Sequence, residues 1–540
     1  MQRNSGTRKL SASLTLSGPW RQEYRRSLFA ATALFFGIGA VASAAVPTLN
    51  NFFPAGGQVG SSLEVTASYK CDSWPPQVWT AHKDLKFTPD AKAKGKFKVG
   101  VGKDVPPGPY LIRIHDKNGS SIPRPFVVSP HPNLAEKESN NGFSTAQVIE
   151  ATPVVINGKW SAREDADSFA IDLKRGQWLT ASVEAYSLHS PTDPVLHLLD
   201  PDGVRVAFNH DRFENLDPRL EFRASRDGRH VVQIAAFEHP PKADVRFYGS
   251  SSAIYRLALT VGDKPTPREL YGMARDKAPK ATSEKEPNNG VSDGNAIKLP
   301  AVADGVIESD GDSDRYSFAA KKGEKIQFEV FSRRLGFGLD SHLAITDKSG
   351  RQLAENDDRT RDKPDSNLIW TSKADGDYAV AIRDIRGRGS SQFRYRLVAG
   401  PPTIGFEASV DKNAVVVLPG KTAELKVKVT RIGGHKADLK IVVQDLPEGV
   451  EASVDKIPAK TADVRVTLNA KGNAQPANRP IRFRVTESDA NGAEVRTVAA
   501  ANDLNGDPKG DRLVNKTESI WLTVTPAPVK KEAKKAEAKK

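Results

Sequence analysis

One stretch of this chain is written twice, and that repeat limits the fold more than any other feature. The run Glu136-Lys137-Glu138-Ser139-Asn140-Asn141-Gly142 returns as Glu284-Lys285-Glu286-Pro287-Asn288-Asn289-Gly290. In one register, offset by 147 or 148 positions, Asp165, Asp167, Gly176, Asp193 and Asp211 return as Asp312, Asp314, Gly323, Asp340 and Asp358. Gly228, Val232 and Ile234 return as Gly376, Val380 and Ile382. Glycines and acids matched at a fixed spacing mark two copies of one folding unit, 133–262 and 284–400. Within them Leu179, Ala181 and Val183 alternate with polar neighbours, as do Ile326, Phe328 and Val330. That period of two predicts strands with one buried face. Each copy is of a size suited to a jelly-roll or similar β-sandwich.

The flanks follow the same rule. In 47–129, Phe97, Val99 and Val101 alternate with Lys96, Lys98 and Gly100, and Tyr110, Ile112 and Ile114 alternate with Leu111 and Arg113. In 402–526, Leu425, Val427 and Val429 alternate with Lys426, Lys428 and Thr430, and Leu446-Pro447-Glu448-Gly449-Val450 reads as a turn between strands. Both predict Ig-like β-sandwiches. A Lys-, Pro- and Ala-rich segment, 263–283, separates the copies as a linker with a helical turn near 268–275, and 527–540 is a Lys-rich tail expected to be disordered. The fold class predicted is all-β: tandem sandwich or jelly-roll modules with Ig-like sandwiches at both ends.

The first 44 residues read as an export signal. Arg21, Arg25 and Arg26 precede an apolar run, 28–41, and Ala42-Ser43-Ala44 supplies the small-residue site a signal peptidase cuts. Arg25-Arg26-Ser27-Leu28-Phe29 also resembles a twin-arginine signal, although Tyr24 stands where Ser or Thr is usual. The alternative is a retained anchor, since 27–46 is near the length that spans a bilayer. With cleavage the mature chain has no stable membrane span, and it faces the periplasm, the cell surface or the medium. Of the formal +13 charge, the first 44 residues carry +5 and the last twelve +4, leaving +4 on the body. A nucleic-acid partner, which calls for a basic stripe on a folded domain, is therefore not expected. Cys71 is the sole cysteine, so no internal disulfide and no thiolate metal cluster can form. A buried structural thiol is expected there.

The repeated unit, with its Glu-x-Glu-Pro-Asn-Asn opening, Asp312-Ser313-Asp314-Arg315-Tyr316, the Asn356-Asp357-Asp358 loop and Gly376-Asp377-Tyr378, resembles the bacterial pre-peptidase C-terminal domain over about 133–400. The collagen-binding modules of clostridial collagenases are similar to that family, and the relationship implies a calcium-dependent jelly-roll. Such domains accompany secreted proteases and also occur in large exported proteins without one. The first copy departs from the pattern, with Ser139 for the proline and His210 for Asp357.

The residues fit calcium on their own chemistry. In an extended segment Glu284, Glu286 and Asn288 share a face, Pro287 stiffens the backbone between them, and Asn289, Asp312 and Asp314 add oxygens. Ca²⁺ takes six to eight such ligands. The corresponding set in the first copy is Glu136, Glu138, Asn140, Asn141, Asp165 and Asp167. Exposed turn residues would look the same, since Asn-Asn-Gly is a good turn former. Asp340 with Asn356-Asp357-Asp358 forms a second acidic group. Asp503-Leu504-Asn505-Gly506-Asp507 imitates the start of an EF-hand loop, but Val514 occupies the position that demands glutamate, so it reads as a turn.

Catalytic signatures are missing: there is no Gly-x-Ser-x-Gly elbow, no His-Glu-x-x-His helix and no phosphate-cradling loop. His197, between Leu196 and Leu198, reads as a packed or rim histidine. The expectation is a non-catalytic exported binding or structural protein that engages an extracellular polymer or an envelope protein. The alternatives are an accessory subunit of a secreted protease or other hydrolase system, and an enzyme whose site is assembled between modules.

Overall fold

The computed structural model describes residues 45–212, 214–266, 281–290, 292–359, 364–454, 456–506 and 510–527. The signal segment, the helical turn expected near 268–275, Asp507 and nearly all of the tail lie outside these residues. The described chain is built from strands with two short 3₁₀ turns, Tyr186–Leu188 and Arg333–Leu335, and no helix in it is long and apolar enough to cross a membrane.

The repeat in sequence is a repeat in topology. The first copy pairs its strands as Asn133–Ala135, Val154–Lys159, Ile254–Gly262, Trp178–Glu184 and Arg219–Arg223 in one sheet. Its other sheet runs Gln147–Val148, Asp167–Leu173, Gly228–Glu238, Thr192–Leu199 and Arg205–Asn209. The second copy gives the same two orders, starting from Thr282–Ser283 and from Asn295–Ala296. In both, the short opening strand of each sheet runs parallel to its neighbour and all other pairs are antiparallel. Thr282 and Ser283, placed by the sequence in the linker, pair with Ala303 and Asp304 and so belong to the module.

The alternation sets the cores. Leu179, Ala181 and Val183 are fully buried, as are Phe328 and Val330, with Ile326 nearly so. Gly176 and Gly323 sit at matching turns with φ of 91° and 84°, a conformation open to glycine, and each donates its N–H across to the next strand, to Ala224 and Ser372.

The first module is two sheets, Thr48–Phe53, Ser62–Lys70, Lys96–Val101 and Leu85–Pro89 facing Gly56–Gln58, Arg124–Ser129, Gly108–Asp116 and Gln77–Thr80. The last module forms one ten-stranded ladder, continuous because Gly405–Val410 pairs in parallel with Glu494–Asp503 at Ala408 and Ala500.

Two sequence expectations need correcting. Arg113, expected on the solvent side of its strand, is 1% exposed. Its guanidinium donates to Ser121 O at 2.7 Å and, in the last module, to Asn413 O at 3.0 Å and Asn413 Oδ1 at 3.2 Å. Beside it Trp521 packs against Trp79 and His115, with ring centroids 6.0 and 4.7 Å apart. The first and last modules are thus docked together. Cys71, expected buried, is half-buried with its thiol 3.6 Å from Asp116 Oδ2.

The last module also reaches the first copy. Asp511 N donates to Glu214 O at 2.7 Å, Leu513 N to Ser187 O at 3.1 Å, and the Arg512 guanidinium lies 3.5 Å from the Tyr186 ring centroid.

Candidate metal centre

Each copy gathers carboxylates where its opening segment crosses the sheet. In the second, Glu284, Glu286 and Asp314 bring one oxygen each within 4.8 Å of the others, and in the first Glu136, Glu138 and Asp167 do the same. Asp167 and Asp314 open equivalent core strands, opposite Ile234 and Ile382, and both are fully buried.

Backbone and glycine shape the site. Lys159 N donates to Glu136 Oε1 at 2.7 Å, and Val306 N to Glu284 Oε1 at 2.6 Å, so each glutamate lies over the strand it crosses. The strand makes room by having glycine at that point. A Cβ on Gly158 would come within 2.1 Å of Glu136 Oε2 and 2.2 Å of the Tyr255 hydroxyl. On Gly305 it would meet Tyr395 Oη at 2.3 Å and Glu284 Oε2 at 2.4 Å.

The tyrosines were missed by sequence reasoning. Tyr255 donates to Glu136 Oε2 at 2.6 Å, and Tyr395 to Asp314 Oδ2 at 2.6 Å. A signal was present, since Tyr255-Arg256-Leu257 recurs as Tyr395-Arg396-Leu397 in matching strands. In the second copy Tyr316 adds a further hydroxyl, 2.8 Å from that of Tyr395.

These carboxylates are placed where charge is costly. Burial, with the neighbouring Glu136, pushes the Asp167 carboxyl well above the usual carboxylate range, and burial raises Glu136 too. Asp314 is raised by burial and by its contact with Glu284, and Glu286 by burial and then by Asp312. Several inward oxygens have no donor among the described residues: Asp167 Oδ2, Asp312 Oδ1, Asp314 Oδ1 and Asn288 Oδ1. Asn140, fully buried, places its amide beside Asp167 Oδ1 and Glu138 Oε2. With nitrogen turned inward it donates at 3.0 and 3.3 Å; with oxygen turned inward it completes an all-oxygen cage. Buried acceptors without donors fit a bound cation, because a cation supplies the charge that no protein group provides.

The remaining candidates serve the backbone. Asp312 Oδ2 accepts from Glu308 N at 2.7 Å, and Asp165 Oδ2 from Ser161 N at 2.6 Å, each clamping a turn. Asn289 Oδ1 accepts from Ser313 N at 2.7 Å, and Asn141 Nδ2 reaches Asp165 Oδ1 at 3.5 Å.

A second group lies in the other sheet's loops. His210 Nε2 is 3.1 Å from Asp193 Oδ1 and its Nδ1 3.9 Å from Asp211 Oδ2. At the matching place Asp358 is raised by burial, with Asp357 and Asp340 adding to it. His197 is half-buried and meets the Phe208 ring edge-on at 5.1 Å.

No family model matches the chain. Over 100 residues, 18% of its length, it is 33% identical to a probable subtilase-type serine protease of Deinococcus radiodurans, and the match spans 14% of that protease. Among solved structures, it is similar to the pre-peptidase C-terminal domain of a Bacillus anthracis collagenase over 23% of this chain and 99% of that one, at 16% identity and a TM-score of 0.16. It is also similar to the Bacteroides ovatus mixed-linkage glucan utilization locus protein SGBP-B, solved with a mixed-linkage heptasaccharide, at 6% identity over 61% of this chain and 72% of that one, with a TM-score of 0.14.

Proposed function

We propose that this chain is a non-catalytic exported protein of binding or structural type, that calcium braces its two repeat copies, and that it engages an extracellular polymer or an envelope protein. The observation that supports this reading is the pair of matching carboxylate clusters, each with a fully buried aspartate lacking a donor on one oxygen. Glu284, Glu286, Asp314 and Asn288 would hold one ion, and Glu136, Glu138, Asp167 and Asn140 the other. The donors are all oxygens, which suits Ca²⁺; zinc favours nitrogen and sulfur, and Mg²⁺ demands near-octahedral geometry and retains water. A bound ion would supply positive charge to a buried acidic site, and its work there is structural: it ties the opening segment to the sheet.

Titration calorimetry of the chelator-stripped chain with CaCl₂ and with MgCl₂ tests the metal. Two calcium sites are expected, and Asp314→Ala should leave one. No binding heat at millimolar calcium refutes the calcium part of the reading. Retention of the exported chain on an envelope fraction tests the partner.

A second reading makes the chain an accessory to a secreted protease, favoured by the 33% identity to a subtilase-type protease. In both readings the chain is inactive alone, and turnover of general protease or glycosidase substrates by the purified chain would refute both.

A further inference from the structure

A cavity of about 140 Å³ lies between the first module and the first repeat copy, away from the acidic clusters. Its floor is the sheet face carrying Thr180, Ser182 and Thr260, and three arginines, Arg212, Arg219 and Arg256, converge on it. Glu184 in the lining meets Arg256 Nη1 at 2.5 Å, and Glu214 Oε1 lies 3.8 Å from Arg212 Nη1. Arg256 is 3% exposed, and its Nε has no acceptor among the described residues; nor has Arg212 Nε. Arg219 shares an ion pair at 2.9 Å with Glu221, a residue at the outer edge whose side chain is 35% exposed, and its Nη2 also donates to Thr266 O at 2.5 Å in the lining; of the two, the ion pair is the weak and exchangeable one.

The first module is shaped to this arrangement. A Cβ on Gly56 would fall 2.8 Å from Arg256 Nε and 2.3 Å from Val127 O, so the absent side chain is what lets the guanidinium lie at the junction. Arg212 is held by Ser182 Oγ at 3.0 Å and Val183 O at 2.6 Å, which aims it across the cavity.

The second copy shows that the fold itself does not require this set. There the positions of Thr180, Ser182, Thr260 and Arg219 are taken by Gln327, Glu329, Gly400 and Asn367, as the strand register fixes. Arg396 and Arg359 stand where Arg256 and Arg212 do, so two guanidinium positions are common to both copies, while the hydroxyl row and Arg219 belong to the first alone.

We propose that this cavity binds the carboxylate-bearing ring of an acidic sugar. Guanidinium forks recognise a carboxylate through paired N–H donors, and the hydroxyl row matches ring hydroxyls that can both donate and accept. The proposal rests on the reading that the chain engages an extracellular polymer, and it names the chemistry of that polymer.

The test uses the full exported chain with D-glucuronate, D-glucose, acetate and phosphate as separate probes, followed by saturation-transfer NMR and titration. Glucuronate should bind at least tenfold more tightly than glucose, acetate or phosphate. Arg219→Gln and Ser182→Ala should each weaken it tenfold or more while the melting temperature and circular dichroism stay unchanged. If Arg219→Gln fails to fold, Ser182→Ala carries the test. The proposal is overturned if glucuronate does not bind, if acetate or phosphate binds equally well, or if the variants bind as the parent does. Retention on the envelope fraction without glucuronate binding overturns the cavity and leaves the proposed function standing. Glucuronate binding without retention on any polymer or envelope protein has the opposite meaning.

Discussion

Gly305→Ala should cripple the second acidic site from the backbone side, without replacing a single ligand. The new methyl would sit 2.3 Å from Tyr395 Oη and 2.4 Å from Glu284 Oε2, where ordinary contact needs about a further ångström. Both atoms must withdraw, and neither has an easy retreat: Tyr395 is 3% exposed, and the same glutamate accepts from Val306 N at 2.6 Å. The variant therefore loses the Tyr395 to Asp314 bond and strains the Val306 to Glu284 bond, each charge-assisted and worth about 1.5–3 kcal/mol. A cost of about 2–4 kcal/mol is expected in chelator. For a module of about 117 residues, with an unfolding entropy of about 2 cal/mol/K per residue, that lowers its melting temperature by roughly 8–16 °C. Calcium at a hundred times its dissociation constant would add about 2.7 kcal/mol to the parent and little to the variant, because the ligands have moved apart. Scanning calorimetry of the full chain, with chelator and with calcium, resolves the transition. Gly100→Ala is the control, since its Cβ would meet nothing within 4 Å. A Gly305→Ala chain that melts and responds to calcium as the parent does would refute both the steric account and the site.

Three further outcomes follow from other parts of the molecule. Asp314→Asn should leave stability in chelator nearly unchanged, because burial and Glu284 already hold that carboxyl protonated there, and should abolish the calcium response of that copy; a retained response counts against the assignment. Arg113→Ala should cost about 2–4 kcal/mol, since it opens a void at the docked interface and takes one donor each from Ser121 O, Asn413 O and Asn413 Oδ1; iodide quenching of tryptophan fluorescence should rise as Trp521 is uncovered, and unchanged quenching would contradict the docking. His115 is pushed down to about 4 by burial, and His189 to about 3 by burial with Arg124 and Arg512 nearby. Both stay neutral in the fold while unfolded histidine takes a proton near pH 6.5, so stability should fall as pH drops from about 6.5 toward 4. Unfolding free energies from urea melts at pH 7 and 4.5 should differ by about 1–2 kcal/mol less in His115→Gln than in the parent, and equal pH dependence would refute this.

Much of this architecture could be read from alternation alone, because a strand with one wet face writes its burial into the sequence. Phe97 and Val99, Ile326 and Phe328, Leu425 and Val427 all point inward as their period of two requires. The carboxylates of the candidate site were legible as well, since repetition singled them out. What stayed hidden depends on contacts between distant segments. Arg113 has the spacing of a solvent-facing residue, and only its acceptors on Asn413 make it a buried one. Tyr255 and Tyr395 look like ordinary core aromatics, and their role appears only when Gly158 and Gly305 let the phenols reach the glutamates. The parallel pairing of Glu494–Asp503 with Gly405–Val410 could not be read from sequence, because parallel partners carry no turn signal between them.

The docking of the last module on the first has a consequence for how the chain is assembled and how it is broken. Arg113 waits for partners 300 and 406 positions further on, so this interface is closed only after nearly the whole polypeptide has emerged. Contacts of such long range are slow to form, and until then the Trp79 face stays bare and exposed to aggregation. Once they form, the second repeat copy becomes an excursion between two points that are already joined. A protease that severs the backbone between Gly262 and Thr282 would nick the polypeptide without parting it: the fragments would run separately in denaturing gel and together in native gel.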